Sequence, residues 1–334
     1  MNILEFRKGH LSDRIINALI ESTRTYAEME VLLNEYPYMV PVLSDILLSI
    51  DIYYSLHDAQ PDINQIVQSL YIPDQSTPIA RTSHAISACI KYAKNKIHKM
   101  DVLTAGDLLK IDQTIKTANI MLLTTDELIN KPEQQLKEIW SILHDLYGPN
   151  RQYPLLLETA LALYGLATLP DDYRLSLNTK IILFSSLYKS NLAFSGLQRQ
   201  WTLLTDPRVD ISSIKTDDAI VHILHVFQNM WKYTTTLMRS LNNKRIEIAQ
   251  NINFDTGKQM PNEIHWLLVE NICIKNQDAS AKMRVSPKTA IKYLKLLEQQ
   301  DLLYFIKKGR EIFYFSRLLL DFLKQQAEEY TSGT

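Results

Sequence analysis

Positively charged side chains are concentrated in one short stretch near the carboxyl end of the sequence. Residues 282–310 include eight basic and two acidic residues, a net charge of +6, while the whole chain carries −1, so the remainder carries −7. Basic side chains at this density can neutralise phosphates, which predicts a contact with duplex DNA. A lysine-rich solvated face and a protein-binding surface remain open alternatives. The predicted contact residues are Lys282, Arg284, Ser286, Lys288, Thr289, Lys292, Lys295, Lys307, Lys308 and Arg310.

The elements that would position these cations are predicted by a series of local signals from Pro261 to Leu323. An apolar stripe after Pro261 indicates a first helix that includes Ile272 and Ile274. Asp278 is the expected cap of a short second helix, and Arg284 with the next residue forms a tight turn. The second helix and the turn after it are the first part of a helix-turn-helix, which a third helix must complete.

The third helix and a hairpin complete this predicted layout. Ser286 is expected to cap the third helix, with Pro287 at its first position, and this places the lysines on its outer side. A β-type run at 303–306 and another at 312–315 are joined by a basic turn that contains Gly309, which tolerates positive φ. The sequence therefore predicts a winged helix-turn-helix with a basic hairpin tip.

Composition favours a mainly α-helical protein of about two domains. The chain has 334 residues, 46% of them hydrophobic, and only eight glycines. Its two cysteines, Cys89 and Cys273, form no CxxC pair, which predicts reduced thiols and a cytoplasmic location. The early apolar run from Met39 to Tyr54 is interrupted by proline and aspartate, so no membrane segment is expected.

Helical patterns fill most of the remaining chain, and a polar stretch from Asn251 to Met260 is the predicted domain boundary. The long helix before this stretch is expected to run from Ala219 to about Ala249, and Ser83 is expected to cap an earlier helix. The predicted domains are an N-terminal helical extension (1–37), a multi-helix domain (38–255) and the winged helix-turn-helix (260–328).

Three segments carry a resemblance to a known family. They are SHAISACIKYAKNKIHKMDVLTAGDLLKIDQTI (Ser83–Ile115), YPLLLETALALYGLATLP (Tyr153–Pro170) and NTKIILFSSLYKSNL (Asn178–Leu192). In type and order these helices resemble the helical Fic (Fido) domain, which many members follow with a winged helix. The resemblance implies a Fic-like multi-helix fold, and in active members it implies transfer of AMP or another phosphate-containing group to protein hydroxyls.

The motif that supports this chemistry is absent from the matching loop. Active members carry HPFxxGNGRxxR, which supplies a general base, an anion-binding glycine nest and phosphate-binding arginines. The loop here reads PDDYRLSLN, contains no glycine and begins with a proline at the position of the histidine. The resemblance therefore implies a scaffold that has lost its chemistry. This degenerate loop comprises Pro170, Asp171, Asp172, Tyr173, Arg174 and Asn178.

Other constellations support no chemistry of their own. His222 and His225 share a helical face, but no third ligand completes a set, so we expect no metal. Neither a GxSxG motif nor a glycine-rich phosphate loop occurs, so no hydrolase and no nucleotide cofactor is predicted.

The favoured hypothesis is a catalytically inactive Fic-like protein that acts as a DNA-associated regulator. Its helical domain would contact a protein partner or a second copy. Two alternatives remain: a divergent Fic-type nucleotidyl (AMP) transferase acting on a protein hydroxyl, and a protein-binding adaptor with no nucleic-acid role.

Overall fold

The computed structural model describes residues 11–56, 61–72, 76–100, 106–107, 110–111, 114, 153–167, 215–255 and 263–332. In this part of the chain the protein is mainly α-helical and contains one small three-stranded sheet, which confirms the predicted fold class. The degenerate loop and the segment Asn178–Leu192 lie outside the described residues.

We call the elements before residue 256 the helical body. They are α1 (Asp13–Glu35), α2 (Val40–Ser55), α3 (Ile63–Tyr71), α4 (Pro78–Met100), α5 (Leu155–Ala167) and α6 (Thr216–Asp255). The C-terminal module, residues 263–332, follows. Its elements are α7 (Glu263–Glu270), β1 (Cys273–Lys275), α8 (Asn276–Met283), α9 (Pro287–Gln299), β2 (Leu303–Lys308), β3 (Glu311–Ser316) and α10 (Arg317–Ser332).

Helix starts in the body follow local capping, though not always at the predicted residue. Helix α4 begins at Pro78, and the Thr77 hydroxyl accepts a hydrogen bond from the Ala80 amide at 3.1 Å. The prediction that Ser83 caps this helix is wrong, because Ser83 is fully buried inside it. A 3-10 turn at Pro37–Met39 separates α1 from α2.

The core of the body forms around α6, which packs along α1. Trp231 of α6 is fully buried, stacks on Phe227 at 5.7 Å and meets Tyr26 of α1 edge-on at 5.2 Å. At the start of α6, Asp218 accepts a hydrogen bond from Arg14 at 2.6 Å. Helix α6 continues to Asp255, past its expected end near residue 249 and into the predicted boundary stretch.

The C-terminal module contains a strand that the sequence did not predict. Ile272 and Ile274 do not continue the first helix: α7 ends at Glu270, and Ile274 lies in β1. The three strands lie in the order β1-β3-β2, and all pairs are antiparallel. The predicted cap at Asp278 is also wrong, because α8 begins at Asn276, directly after the strand.

The two faces of this sheet belong to different hydrophobic cores. Leu303 and Tyr314 face α7, α8 and α9 and pack in the core of the module. Phe313 and Phe315, on the alternate positions of β3, pack with α10 and with α2, α3 and α6 of the body. The body and the module therefore share a core, and the sheet lies between this shared core and α9.

A second contact between the body and the module is formed by Arg245 of α6 and Trp266 of α7. The Arg245 guanidinium lies 4.9 Å from the ring centres of both Tyr38 and Trp266, and its Nη1 donates to the Tyr38 hydroxyl at 2.5 Å. Helix α10 continues to Ser332, past the predicted module limit at residue 328. The limits between the predicted domains stay a prediction. In the described residues, no helix is both long and apolar enough to cross a membrane.

Candidate nucleic-acid interface

The turn between α8 and α9 fixes the start of the candidate recognition helix. Arg284 adopts a left-handed conformation, with φ of 53°. Its amide donates to the Ala281 carbonyl at 3.3 Å, and the Val285 amide donates to the Ser280 carbonyl at 3.2 Å. These two bonds satisfy two of the last four carbonyls of α8, so the helix ends and α9 can begin at Pro287. The predicted tight turn is confirmed.

Ser286 caps α9, as predicted. Its hydroxyl oxygen accepts a hydrogen bond from the Thr289 amide at 3.2 Å, and Pro287 occupies the first turn. The hydroxyls of Ser286 and Thr289 also bond to each other at 2.8 Å. Both predicted contact residues therefore help to hold the first turn of the helix, with Ser286 exposed and Thr289 half-buried.

Helix α9 presents a basic side and an apolar side. Ala290, Leu294 and Leu297 are fully buried in the module core. Lys288 and Lys292 are one turn apart, and both lie exposed on the opposite side, as does Lys295. The predicted orientation of α9 is confirmed, and its cations extend over two turns of one helical face.

The hairpin carries the second group of cations. Lys307 and Lys308 belong to β2 rather than to the predicted turn, which consists of Gly309 and Arg310 alone. Gly309 has φ of +60°, as expected for a two-residue hairpin with glycine first. All four residues of this tip are exposed, so the cations project from the end of the sheet.

Two further cations lie where α8 meets the rest of the module. Lys282 donates a hydrogen bond to the Asn271 side-chain oxygen, at the end of α7. Arg284 is exposed in the turn before α9. The structure therefore brings the sequence-predicted basic residues together in one module, on α8, α9 and the hairpin, and leaves them at its surface.

Two nearby acidic groups are paired with cations outside the predicted set. Asp301 pairs with Arg317 at 2.9 Å, and Glu311 pairs with Lys275 at 2.8 Å. The hydrogen bond to Glu311 raises the pKa of Lys275. These pairs remove two carboxylates that would otherwise attract the cations of α9 and the hairpin, so the surface keeps its positive charge.

The opposite face of the sheet shows how the module is held. The Tyr304 ring stacks on Phe315 at 5.3 Å, and its hydroxyl accepts a hydrogen bond from Gln68 Nε2 of α3 at 3.1 Å. Tyr71, also of α3, meets Phe315 edge-on and donates to Asp45 at 2.5 Å. Burial and the neighbouring carboxylate raise the pKa of Tyr71, so its hydroxyl remains a donor.

One exposed side chain beside the cations was not among the predicted contact residues. Phe305 lies between Tyr304 and Ile306 in β2 and is 47% exposed. The sequence predicted the strand, but its two faces were not assigned. The alternation of Leu303, Phe305 and Lys307 on one side of β2 was the available signal.

Other candidate chemistry gains no support in the described residues. No group of three or more histidine, cysteine or acidic side chains is placed to hold a metal ion there. His222 is half-buried and His225 exposed on α6. Burial raises the pKa of both Cys89 and Cys273 to about 12, so each thiol stays protonated and is a poor nucleophile. The degenerate loop from Pro170 to Asn178 lies outside the described residues.

The fold and this surface define a mainly α-helical protein that carries a C-terminal helix-turn-helix with a basic hairpin. No family model matches the sequence, and no curated protein matches it. Among solved structures, the chain is similar to a Fic family protein from Desulfovibrio desulfuricans G20, with 9% identity and a TM-score of 0.45. The alignment covers 92% of this chain and 98% of that one. A similarity at this level does not establish membership of a family.

Proposed function

We propose that the C-terminal module binds duplex DNA and that the protein is a DNA-associated regulator. The observation that carries this proposal is the exposed cationic face of α9, formed by Lys288, Lys292 and Lys295, together with the cationic hairpin tip. A capped helix that buries one side and presents lysines on the other is suited to enter the major groove. The hairpin cations are suited to neutralise phosphates beside it.

The packing of the module argues against an adaptor whose basic face is buried, but not against one whose basic face turns to an acidic protein partner. An adaptor whose basic face turned inward would bury the lysines against the helical body. The body instead covers the opposite face of the sheet, through Phe313, Phe315 and α10. The basic face therefore remains available to a polyanion while the module stays fixed to the body.

A salt titration of DNA binding tests the proposal. We expect the affinity of the full chain for a mixed-sequence duplex to fall steeply as salt rises, because bound phosphates release counterions. Replacing Lys288, Lys292 and Arg310 by alanine should weaken binding and reduce the slope of log K against log salt by about 2.7, or about 0.9 per phosphate contact.

The chain offers a matched control for this triple variant. Lys91, Lys232 and Arg239 are exposed cations of the same types on α4 and α6 of the body. Their replacement by alanine changes the net charge equally and should leave the slope unchanged. Undetectable DNA binding by the wild type, or equal effects of the two triple variants, would refute the proposal.

We also infer from the sequence that the Fic-like body has no transferase activity. The loop Pro170–Asn178 lacks the glycines and the histidine that nucleotide transfer needs, and two aspartates would repel a triphosphate. Isothermal titration calorimetry with ATP, CTP and a UDP-sugar tests this inference. Clear micromolar binding of any of them would instead support the transferase alternative.

We further propose a role for the body in holding two copies of the chain or a protein partner, in a cytoplasmic setting. Paired modules would then engage two half-sites of a palindromic duplex. Sedimentation of the full chain with a duplex measures the number of chains per complex. Two chains per duplex would support a dimer held by the body. One chain per duplex would leave the protein-partner role.

A further inference from the structure

Phe305 is a large apolar side chain that lies exposed in the middle of β2. Its neighbours Tyr304 and Ile306 pack toward the body, whereas Phe305 is on the other face, with Leu303. Leu303 is buried in the module core, but two residues further along the strand Phe305 is 47% exposed. The ring lies 6.1 Å from that of Tyr314, which holds it against the sheet.

Its position places an apolar ring between the module core and the cationic hairpin tip. Leu303 packs in the core that α9 closes, and Lys307 follows Phe305 on the same face of β2. Alternate residues of a strand are about 6.7 Å apart, so the ring and the Lys307 ammonium would meet adjacent parts of one ligand. A ligand held at the hairpin tip by Lys307 would therefore lie beside Phe305.

The electrostatic surroundings of the ring favour an apolar contact rather than a phosphate. Burial raises the pKa of the Tyr314 hydroxyl, and the Glu298 carboxylate at the end of α9 raises it further. A carboxylate beside Tyr314, whose ring is the neighbour of Phe305, would disfavour a phosphate on this part of the sheet. The deoxyribose and the base edge of a nucleotide carry no charge, so the carboxylate does not repel them. Their contact with Phe305 would bury the ring and stabilise the complex through the hydrophobic effect.

We propose that Phe305 is a DNA-contacting residue that packs on the deoxyribose and base edges of duplex DNA, next to the phosphates held by Lys307. This inference rests on the proposed DNA-binding function and deepens it. It assigns the hairpin an apolar contact in addition to its charges.

The test compares affinity and salt dependence, because an apolar contact and a phosphate contact affect them differently. By fluorescence anisotropy with a mixed-sequence duplex, we expect Phe305→Ala in the full chain to bind about tenfold more weakly with an unchanged salt slope. Lys307→Ala should instead reduce the slope by about 0.9. Phe305→Leu, which keeps an apolar side chain, should recover part of the affinity.

Val31→Ala is the matched control, since Val31 is an exposed apolar residue on α1 of the body, 65% exposed. Circular dichroism of each variant verifies that the fold is kept. If the wild type binds DNA and Phe305→Ala binds equally well, or loses affinity together with salt slope, this inference alone is overturned. If the wild type does not bind, the proposed function is overturned as well.

Discussion

The shared core between the sheet and the helical body makes a quantitative prediction at Phe315. This side chain is fully buried, stacks on Tyr304 at 5.3 Å and meets Tyr71 edge-on at 6.3 Å. Removing a buried phenyl ring costs both its transfer free energy and the cavity left behind. We therefore expect Phe315→Ala to lower the free energy of unfolding by about 4 kcal/mol.

A second substitution calibrates this magnitude within the same sheet. Phe305 has the same side chain but is 47% exposed, so its replacement by alanine leaves no closed cavity. We expect a loss of about 1 kcal/mol for Phe305→Ala, because only about half of its burial is at stake. Phe315→Leu, which keeps most of the volume, should cost about 1 kcal/mol as well.

Urea unfolding of the full chain, followed by far-UV circular dichroism, measures these differences. Each variant should keep the slope of the wild type and shift only the midpoint. If Phe315→Ala cost no more than Phe305→Ala, the two faces of the sheet would be wrongly assigned, and the body would not be packed against Phe315.

Three further predictions concern single groups. Arg245→Lys should destabilise the protein by about 1–2 kcal/mol in urea unfolding, because a lysine cannot stack between two rings as the guanidinium does beside Trp266. Arg284→Gly should leave stability unchanged or raise it by up to about 1 kcal/mol, since glycine adopts the left-handed conformation without strain, while DNA affinity falls. Cys89 and Cys273 should react slowly with a thiol reagent at pH 9.0, their ordinary pKa, until the chain is unfolded, since burial raises both pKa values to about 12. Because these pKa values are raised, their contribution to stability should be complete below pH 9 and should decline at higher pH as the unfolded thiols ionise. Equal thiol reactivity in the folded and unfolded chain would contradict the last prediction.

The elements of the module that were predicted correctly are those with complete local signals. Ser286 and Pro287 define a helix start within two residues, and Gly309 supplies the positive φ that the hairpin needs. Because such signals depend on the backbone of neighbouring residues alone, they can be read from the sequence. The exposure of the α9 lysines followed from the same helical period.

The errors arose where a distant partner decides the local structure. Ile272 and Ile274 fit the apolar stripe of α7, but strand β1 forms because Ile274 pairs with Tyr314, which is far away in the sequence. Only three residues pair, too few to give an alternating pattern. Phe305 was missed for a related reason, since its exposure depends on how much of that face of β2 is covered by the module's own helices, which local sequence does not show.

The position of the sheet has a consequence for how many partners the protein can hold at once. Helix α9 lies on one face of the three strands, and α2, α3 and α6 of the body lie beyond the other. A duplex on the outer side of α9 would therefore be screened from these helices by the full thickness of the module. If DNA occupied the lysine surface, it would not meet α2, α3 and α6, so a third molecule that bound those helices would not compete with it.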